Sequence, residues 1–215
     1  MPQTNRRVLL ASRPEGWPSA ENFLLDEQAI PEPGPGEFVT QNLYLSVDPY
    51  MRGRMNDVKS YVPPFQIGEV LQAGVVAKVI ASQHDGFQVG DHVVGMLNWE
   101  NYTLTQGAMI RKIDPEIAPL SYHLGILGMP GATAYVGLTH IAACQEGEKV
   151  FVSAASGAVG SVVGQIAKNL NCYVAGSAGS DEKVSYLIDE LGFDSAFNYK
   201  KADSIHNAVS TAMPK

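Results

Sequence analysis

The stretch Ala155-Ser156-Gly157-Ala158-Val159-Gly160 places residues without side chains at two of the points where a bound diphosphate needs bare backbone. In the pattern G-x-G-x-x-G, the second glycine lets the backbone approach a pyrophosphate and the third lets a helix pack closely on the preceding strand. Alanine stands here in place of the first. A helix starting at this point offers unpaired N–H groups and partial positive charge to an anion. Gly157, Ala158, Val159 and Gly160 are therefore the expected cofactor-holding residues. A plain tight β-α turn is the other reading of the same residues.

About 20 residues further on, a dinucleotide site that takes NAD carries Asp or Glu for the ribose 2′-hydroxyl. This chain has Gly176-Ser177-Ala178-Gly179-Ser180 there, followed closely by Lys183. Serine hydroxyls and an ammonium suit a 2′-phosphate that a carboxylate would repel. NADP(H) is the expected cofactor, and an ordinary first-turn surface lysine is the other reading of Lys183. Asp181 precedes Glu182-Lys183 and an apolar-periodic run, which fits a helix cap.

Other reactive side chains are sparse. Cys144 and Cys172 form no C-x-x-C and are read as two reduced core thiols. The histidines His84, His92, His123, His140 and His206 are scattered, with no i, i+4 pair to hold a metal on one helix face, so no metal site is expected.

The frame around these positions follows from composition and periodicity. The 215 residues carry 15 Lys+Arg against 22 Asp+Glu, a net charge of −7, with 45% apolar and 17% charged residues. This is the composition of a globular protein. The acidic balance, with no basic run longer than Arg6-Arg7, argues against nucleic acid as a partner. No apolar run approaches the roughly 20 residues of a membrane helix, and the opening residues lack a leader's apolar core, so a cytoplasmic protein off the membrane is expected.

Up to about residue 120, β-rich runs at 8–11, 38–45, 75–80 and 92–95 are cut by Pro31-Glu-Pro-Gly-Pro-Gly36, Pro63-Pro64 and Gly90-Asp91. Short strands so punctuated predict a β-barrel or sandwich. From about residue 124 the period changes. A strand over 149–154 leads to Val159, Val162, Val163, Ile166, Ala167 and Leu170, spaced as one helix face. A strand over 172–176, a helix over 181–191 stopped by Gly192 and a strand over 195–199 complete β-α-β-α-β, hence a parallel sheet.

Four motifs carry a family resemblance: Tyr44-Leu-Ser-Val-Asp-Pro-Tyr-Met-Arg-Gly-Arg-Met55, Gly128-Met-Pro-Gly-Ala-Thr-Ala-Tyr135, Ala154-Ala-Ser-Gly-Ala-Val-Gly-Ser161 and Gly179-Ser-Asp-Glu-Lys183. In these the chain resembles the zinc-independent medium-chain dehydrogenase/reductases, in the branch of prostaglandin/leukotriene reductases, plant double-bond reductases and bacterial curcumin reductases. The resemblance implies an α/β protein with a GroES-like β-barrel domain over residues 1–124. After it comes the first, three-strand half of a doubly wound Rossmann domain over 125–215, truncated against the six-strand pattern.

It further implies reduction by NADPH of the C=C bond of enones, alkenals, curcumin-type substrates or quinones, without zinc, by a cytoplasmic homodimer. Lys183 would take the 2′-phosphate, Tyr199 the adenosine side, and Tyr50 the substrate carbonyl as the catalytic phenol. For Tyr50, a half-buried barrel aromatic is the other reading. Arg52 and Arg54 are read as a solvated or ion-paired edge. Met129-Pro130 and Thr133 are read as shaping the domain junction, with core packing an equal account of Met129. The competing class is a non-catalytic remnant that binds nucleotide weakly or serves as an interaction module. The 215-residue chain alone is expected to be inactive.

Overall fold

The computed structural model describes residues 4–213. Residues 1–3 of the opening segment and 214–215 at the other end lie outside the described residues. The chain divides into two compact units between Leu124 and Gly125.

The first unit holds strands β1 (Thr4–Leu10), β2 (Phe23–Ala29) and β3 (Phe38–Leu45), a short helix α1 (Tyr50–Arg54), and strands β4 (Gln72–Ser82), β5 (His92–Asn98), β6 (Tyr102–Thr105) and β7 (Ile110–Ile113). β1 and β2 form an antiparallel ribbon, and the other five form an antiparallel sheet in the order β6-β3-β4-β5-β7. The long strand β4 shows why. Val75, Ala77 and Val79 face one cluster with Phe38, Val93 and Leu97, while Val76 faces another with Val94 and Ile113. That is the two-residue period of a strand buried on both faces. Register shifts against β4 at Val39/Thr40 and Asn42/Tyr44 bend the sheet as bulges do. Leu10 of the ribbon packs with Met51, Met55, Phe65, Leu71 and Ala73.

The second unit opens with α2 (Met129–Tyr135), which continues as π-type turns over Val136–Ile141. It goes on with β8 (Lys149–Val152), α3 (Gly160–Asn169), β9 (Tyr173–Ala178), α4 (Asp181–Ser185) extended by π-type turns over Tyr186–Glu190, β10 (Ser195–Asn198) and α5 (Ile205–Ala212). The sheet is parallel in the order β10-β9-β8, the 3-2-1 half of a doubly wound fold. From α3, Val163, Ile166, Ala167 and Leu170 pack on Val152, Val174, Leu187 and Phe193. The mixed architecture, a β unit followed by a three-strand parallel unit, is the one expected from the sequence.

Several local expectations change. β9 runs to Ala178 because Ser177 and Ala178 pair with Phe197 and Asn198 of β10. Only Gly179 and Ser180 of the Gly/Ser stretch are thus left to the turn. Ser180, not Asp181, caps α4, its hydroxyl accepting the Lys183 N–H at 3.3 Å. Val159 stands just before α3 and is exposed instead of continuing its apolar face. Met129 is 56% exposed, so core packing does not account for it. Cys172 is buried in the core cluster, and Cys144, half-buried in the turn before β8, packs against it; both are free thiols. No helix among the described residues is long and apolar enough to cross a membrane.

Candidate functional site

At the carboxyl end of β8 the chain turns through Ser153–Val159 before α3 begins. Ala154 takes φ 47°, and its carbonyl accepts the Gly157 N–H at 2.9 Å, closing the turn tightly. A side chain at Gly160 would put its Cβ 2.6 Å from the Ala154 carbonyl oxygen and 2.8 Å from the Ala155 Cα, both immovable backbone. Glycine is therefore dictated there by close helix–strand approach. Gly157, Ala158 and Val159 are exposed at the mouth of the turn. Among the described residues the Ala158 and Val159 N–H groups have no hydrogen-bond partner. Bare backbone, free N–H groups and the start of a ten-residue helix make a cradle that fits a diphosphate.

Ser156 of that turn and Lys183 of α4 line one cavity of about 620 Å³ with Tyr186. The carboxylates of Glu182, Asp189 and Glu190 line it too, so Lys183 is the one cation against three carboxylates in that lining. Asp181 points its charge elsewhere. It pairs with the Lys201 ammonium and accepts from Asn198 Nδ2 at 2.8 Å. Those two partners hold its carboxyl below the usual carboxylate range. The first carboxylate after β9 is thus engaged by β10 and the loop after it.

Tyr199 follows β10, its N–H donating to the Ala178 carbonyl at 3.1 Å. A side chain on Gly179 would meet the Tyr199 hydroxyl at 3.2 Å and Lys200 Cε at 3.5 Å. Tyr199 and Lys200 therefore cover the turn that leads to Lys183. Sequence reasoning passed over Ser156 and Lys200 as ligands. Lys200 had a signal in its place beside Tyr199.

In the first unit Tyr50 opens α1. The Asp48 carbonyl accepts the Met51 N–H at 3.0 Å, and the Ser46 hydroxyl donates to Asp48 Oδ2 at 2.6 Å, so the turn before the helix is pinned. Tyr50 is half-buried against the cluster of Leu10, Met51 and Phe65. Burial raises its pKa above the ordinary tyrosine value, and the nearby Asp48 carboxylate and Tyr61 phenol add to this against Arg54. The phenol is thereby kept protonated, as a hydrogen-bond donor. Tyr61 is a further phenol that no spacing in the sequence singled out.

Arg52 and Arg54 stay partly exposed, and among the described residues their partners are carbonyls, an amide and a ring instead of carboxylates. Arg52 donates to the Gly16 and Pro14 carbonyls and to Asn56, and Arg54 donates to the Pro63 carbonyl while lying 4.0 Å over the Phe65 ring. Arg13 adds bonds to the Met55 and Phe65 carbonyls at 2.9 and 3.2 Å. The three arginines thus tie the loops at 14–16 and 63–65 to α1 and the residue that ends it.

Thr133 is exposed on α2, and Pro130 occupies the first turn of that helix. Among the described residues no three His, Cys, Asp or Glu side chains gather as metal ligands would.

Residues 6–113 match the N-terminal domain of oxidoreductase. The chain is 50% identical to the putative NADP-dependent oxidoreductase YfmJ of Bacillus subtilis, over 100% of its own length and 63% of the relative's. It is 45% identical to the NADPH-dependent curcumin reductase of Escherichia coli, over 99% of its own length and 61% of the relative's. The crystal structure of CurA in complex with NADPH, from Vibrio vulnificus, superposes with a TM-score of 0.90 at 45% identity, covering 96% of this chain and 61% of that one. The chain thus spans about three fifths of the length of the relatives it matches.

Proposed function

The chain belongs to the oxidoreductases of the zinc-independent medium-chain dehydrogenase/reductase family, and on that premise we propose an NADPH-dependent reductase of C=C bonds conjugated to a carbonyl. One observation carries the reading: the turn at Gly157–Gly160 presents free N–H groups, and Ser156 beside it shares a cavity with Lys183 while Asp181 is held by Lys201.

In this reading the Ala158 and Val159 N–H groups and the start of α3 hold the pyrophosphate, and the Lys183 ammonium binds the 2′-phosphate. Tyr199 and Lys200 cover the adenosine side. NADPH, when bound, supplies the hydride that reduces the substrate's β-carbon. The Tyr50 phenol donates a hydrogen bond to the substrate carbonyl oxygen, where negative charge collects as the double bond is reduced. Burial and Asp48 keep its proton in place for that purpose.

The reading extends to enones, alkenals and quinones as acceptors and to a cytoplasmic homodimer encompassing residues 1–124 as substrate domain and 125–215 as cofactor domain. The experiment is a titration of NADPH and NADH against the full-length protein, followed by NADPH oxidation with an enone. Preference for NADPH by tenfold or more and enone-dependent turnover are expected. Equal binding of the two cofactors would overturn the assignment.

A further inference from the structure

The carboxyl ends of β8 and β9 carry the glycine turn and the turn to Lys183, while their amino ends carry a pair of groups that the proposed reduction leaves unused. Cys144 lies in the turn leading into β8 and Cys172 immediately before β9. The two strands are neighbours, with Lys149 opposite Tyr173 at their first residues. The two sulfurs stand 3.6 Å apart. Each cysteine follows a residue in the left-handed region, Ala143 at φ 49° and Asn171 at φ 55°. Alanine adopts that conformation only under constraint, and here it folds one turn back toward the other.

Burial differs between the two. Cys144 is half-buried, whereas Cys172 is buried, 2% exposed, with its thiol toward the Gln145 carbonyl at 3.4 Å. We propose that Cys144 and Cys172 form a reversible redox pair, in which Cys144 takes an incoming disulfide and Cys172 resolves it into an intramolecular bridge across the entries of β8 and β9. This rests on none of the residues assigned to cofactor or substrate.

The co-reactant is a low-molecular-weight disulfide, RSSR. The Cys144 thiolate attacks one of its sulfurs, the S–S bond breaks, and one RS⁻ leaves. Deprotonated Cys172 then attacks the Cys144 sulfur, forms the internal S–S bond and expels the second RS⁻. Two protein thiols lose two electrons, RSSR gains them as two thiols, and the two protons pass to the released thiolates.

The surroundings set the pace. Burial, with Cys172 and the Glu148 carboxylate, pushes the Cys144 thiol up to about 11. Glu146, bonded to Asn171 at 2.9 Å, and Lys168, donating to the Cys172 carbonyl at 3.4 Å, are the other charges beside the pair. Only the small thiolate fraction reacts, so bridging is slow near neutrality and gains about tenfold in rate per pH unit below the thiol's pKa. The bridge ties the entry of β8, a strand of four residues, to that of β9 at the end opposite the glycine turn.

The test exposes the folded full-length protein to oxidised glutathione, blocks remaining thiols and maps unreduced peptides by mass spectrometry. A linked Cys144–Cys172 peptide is expected, removed by dithiothreitol and formed about ten times faster at pH 8.5 than at pH 7.5. In Cys172→Ser the glutathione adduct should stay on Cys144, and in Cys144→Ser the buried Cys172 should remain unmodified. The bridged protein should melt several degrees higher than the reduced one, with NADPH affinity unchanged within about twofold. No linked peptide, linkage only in denaturant, or equal modification of Cys172 in Cys144→Ser overturns the proposal. An unchanged or lowered melting temperature overturns the anchoring of β8.

Discussion

The hydroxyl of Ser180 accepts the backbone N–H of Lys183 at 3.3 Å, and this bond fixes where the lysine stands. It starts α4 directly after β9, so that Lys183 lies in the first turn, beside the cavity that Ser156 also lines. A cap one residue later would rotate the lysine by about a quarter turn of helix, roughly 100°.

Lys183→Ala removes a charged donor without touching the core, since the residue is exposed. NADPH binding should weaken by about 1.5–3 kcal/mol while NADH binding stays nearly constant. Fluorescence titration of both cofactors measures the difference.

Gly160→Ala forces a methyl to within 2.6 Å of the Ala154 carbonyl oxygen, whereas at Gly157 the same group would sit 3.2 Å away. The first substitution should cost about 1–3 kcal/mol of stability, as overpacking does, and the second distinctly less. Denaturant unfolding ranks them. Both should weaken dinucleotide binding, because both displace the turn that carries the free N–H groups.

Tyr50→Phe keeps the ring packed on Met51 and Phe65 and deletes the donor. In the full-length protein, turnover on an enone should fall by about ten- to a hundredfold with little change in NADPH affinity. Unchanged kinetics would leave Tyr50 as a packing residue of the barrel unit.

Asp194 accepts from the Lys168 ammonium at 2.7 and 2.8 Å and from the Val174 N–H at 2.7 Å, tying α3 and β9 to the start of β10. Burial raises its carboxyl, but Lys168 and the Val174 N–H more than offset this, so it lies below the ordinary value. A depressed folded-state pKa gives stability that is fully present above the unfolded value of about 3.9 and is lost as pH falls through the folded value. Asp194→Asn should therefore cost about 1–3 kcal/mol at pH 7, with the difference shrinking below pH 4. Unfolding curves across that range test it.

A polypeptide of residues 1–215, assayed beside a full-length relative, should reach less than a tenth of its enone-dependent turnover. Among the described residues β8 is paired on one side only, and dinucleotides bind in the crevice between the first and fourth strands of such sheets. The unpaired edge should also make this polypeptide self-associate, visible as concentration-dependent light scattering.

The order β-α-β-α-β and the glycine turn were legible in the sequence because both are local. Helix period shows within four residues, and the steric demand for Gly160 comes from backbone five and six positions away. The stop at Gly192, with φ 71°, is equally local. The short strands β6 and β7, of four residues each, had no such signature, since they exist by pairing with β3 and β5. Asp181 has the sequence look of a cap, yet Ser180 caps α4, and the pairing of β9 with β10 sets Lys201, twenty positions on, beside Asp181 instead. Likewise β9 gains Ser177 and Ala178 only through its ladder with β10, and Cys144 meets Cys172 only because β8 and β9 are neighbours. Turn chemistry and periodicity are fixed by neighbours along the chain, whereas partners of charged, phenolic and thiol side chains are set by register and crossover, which the folded chain alone decides.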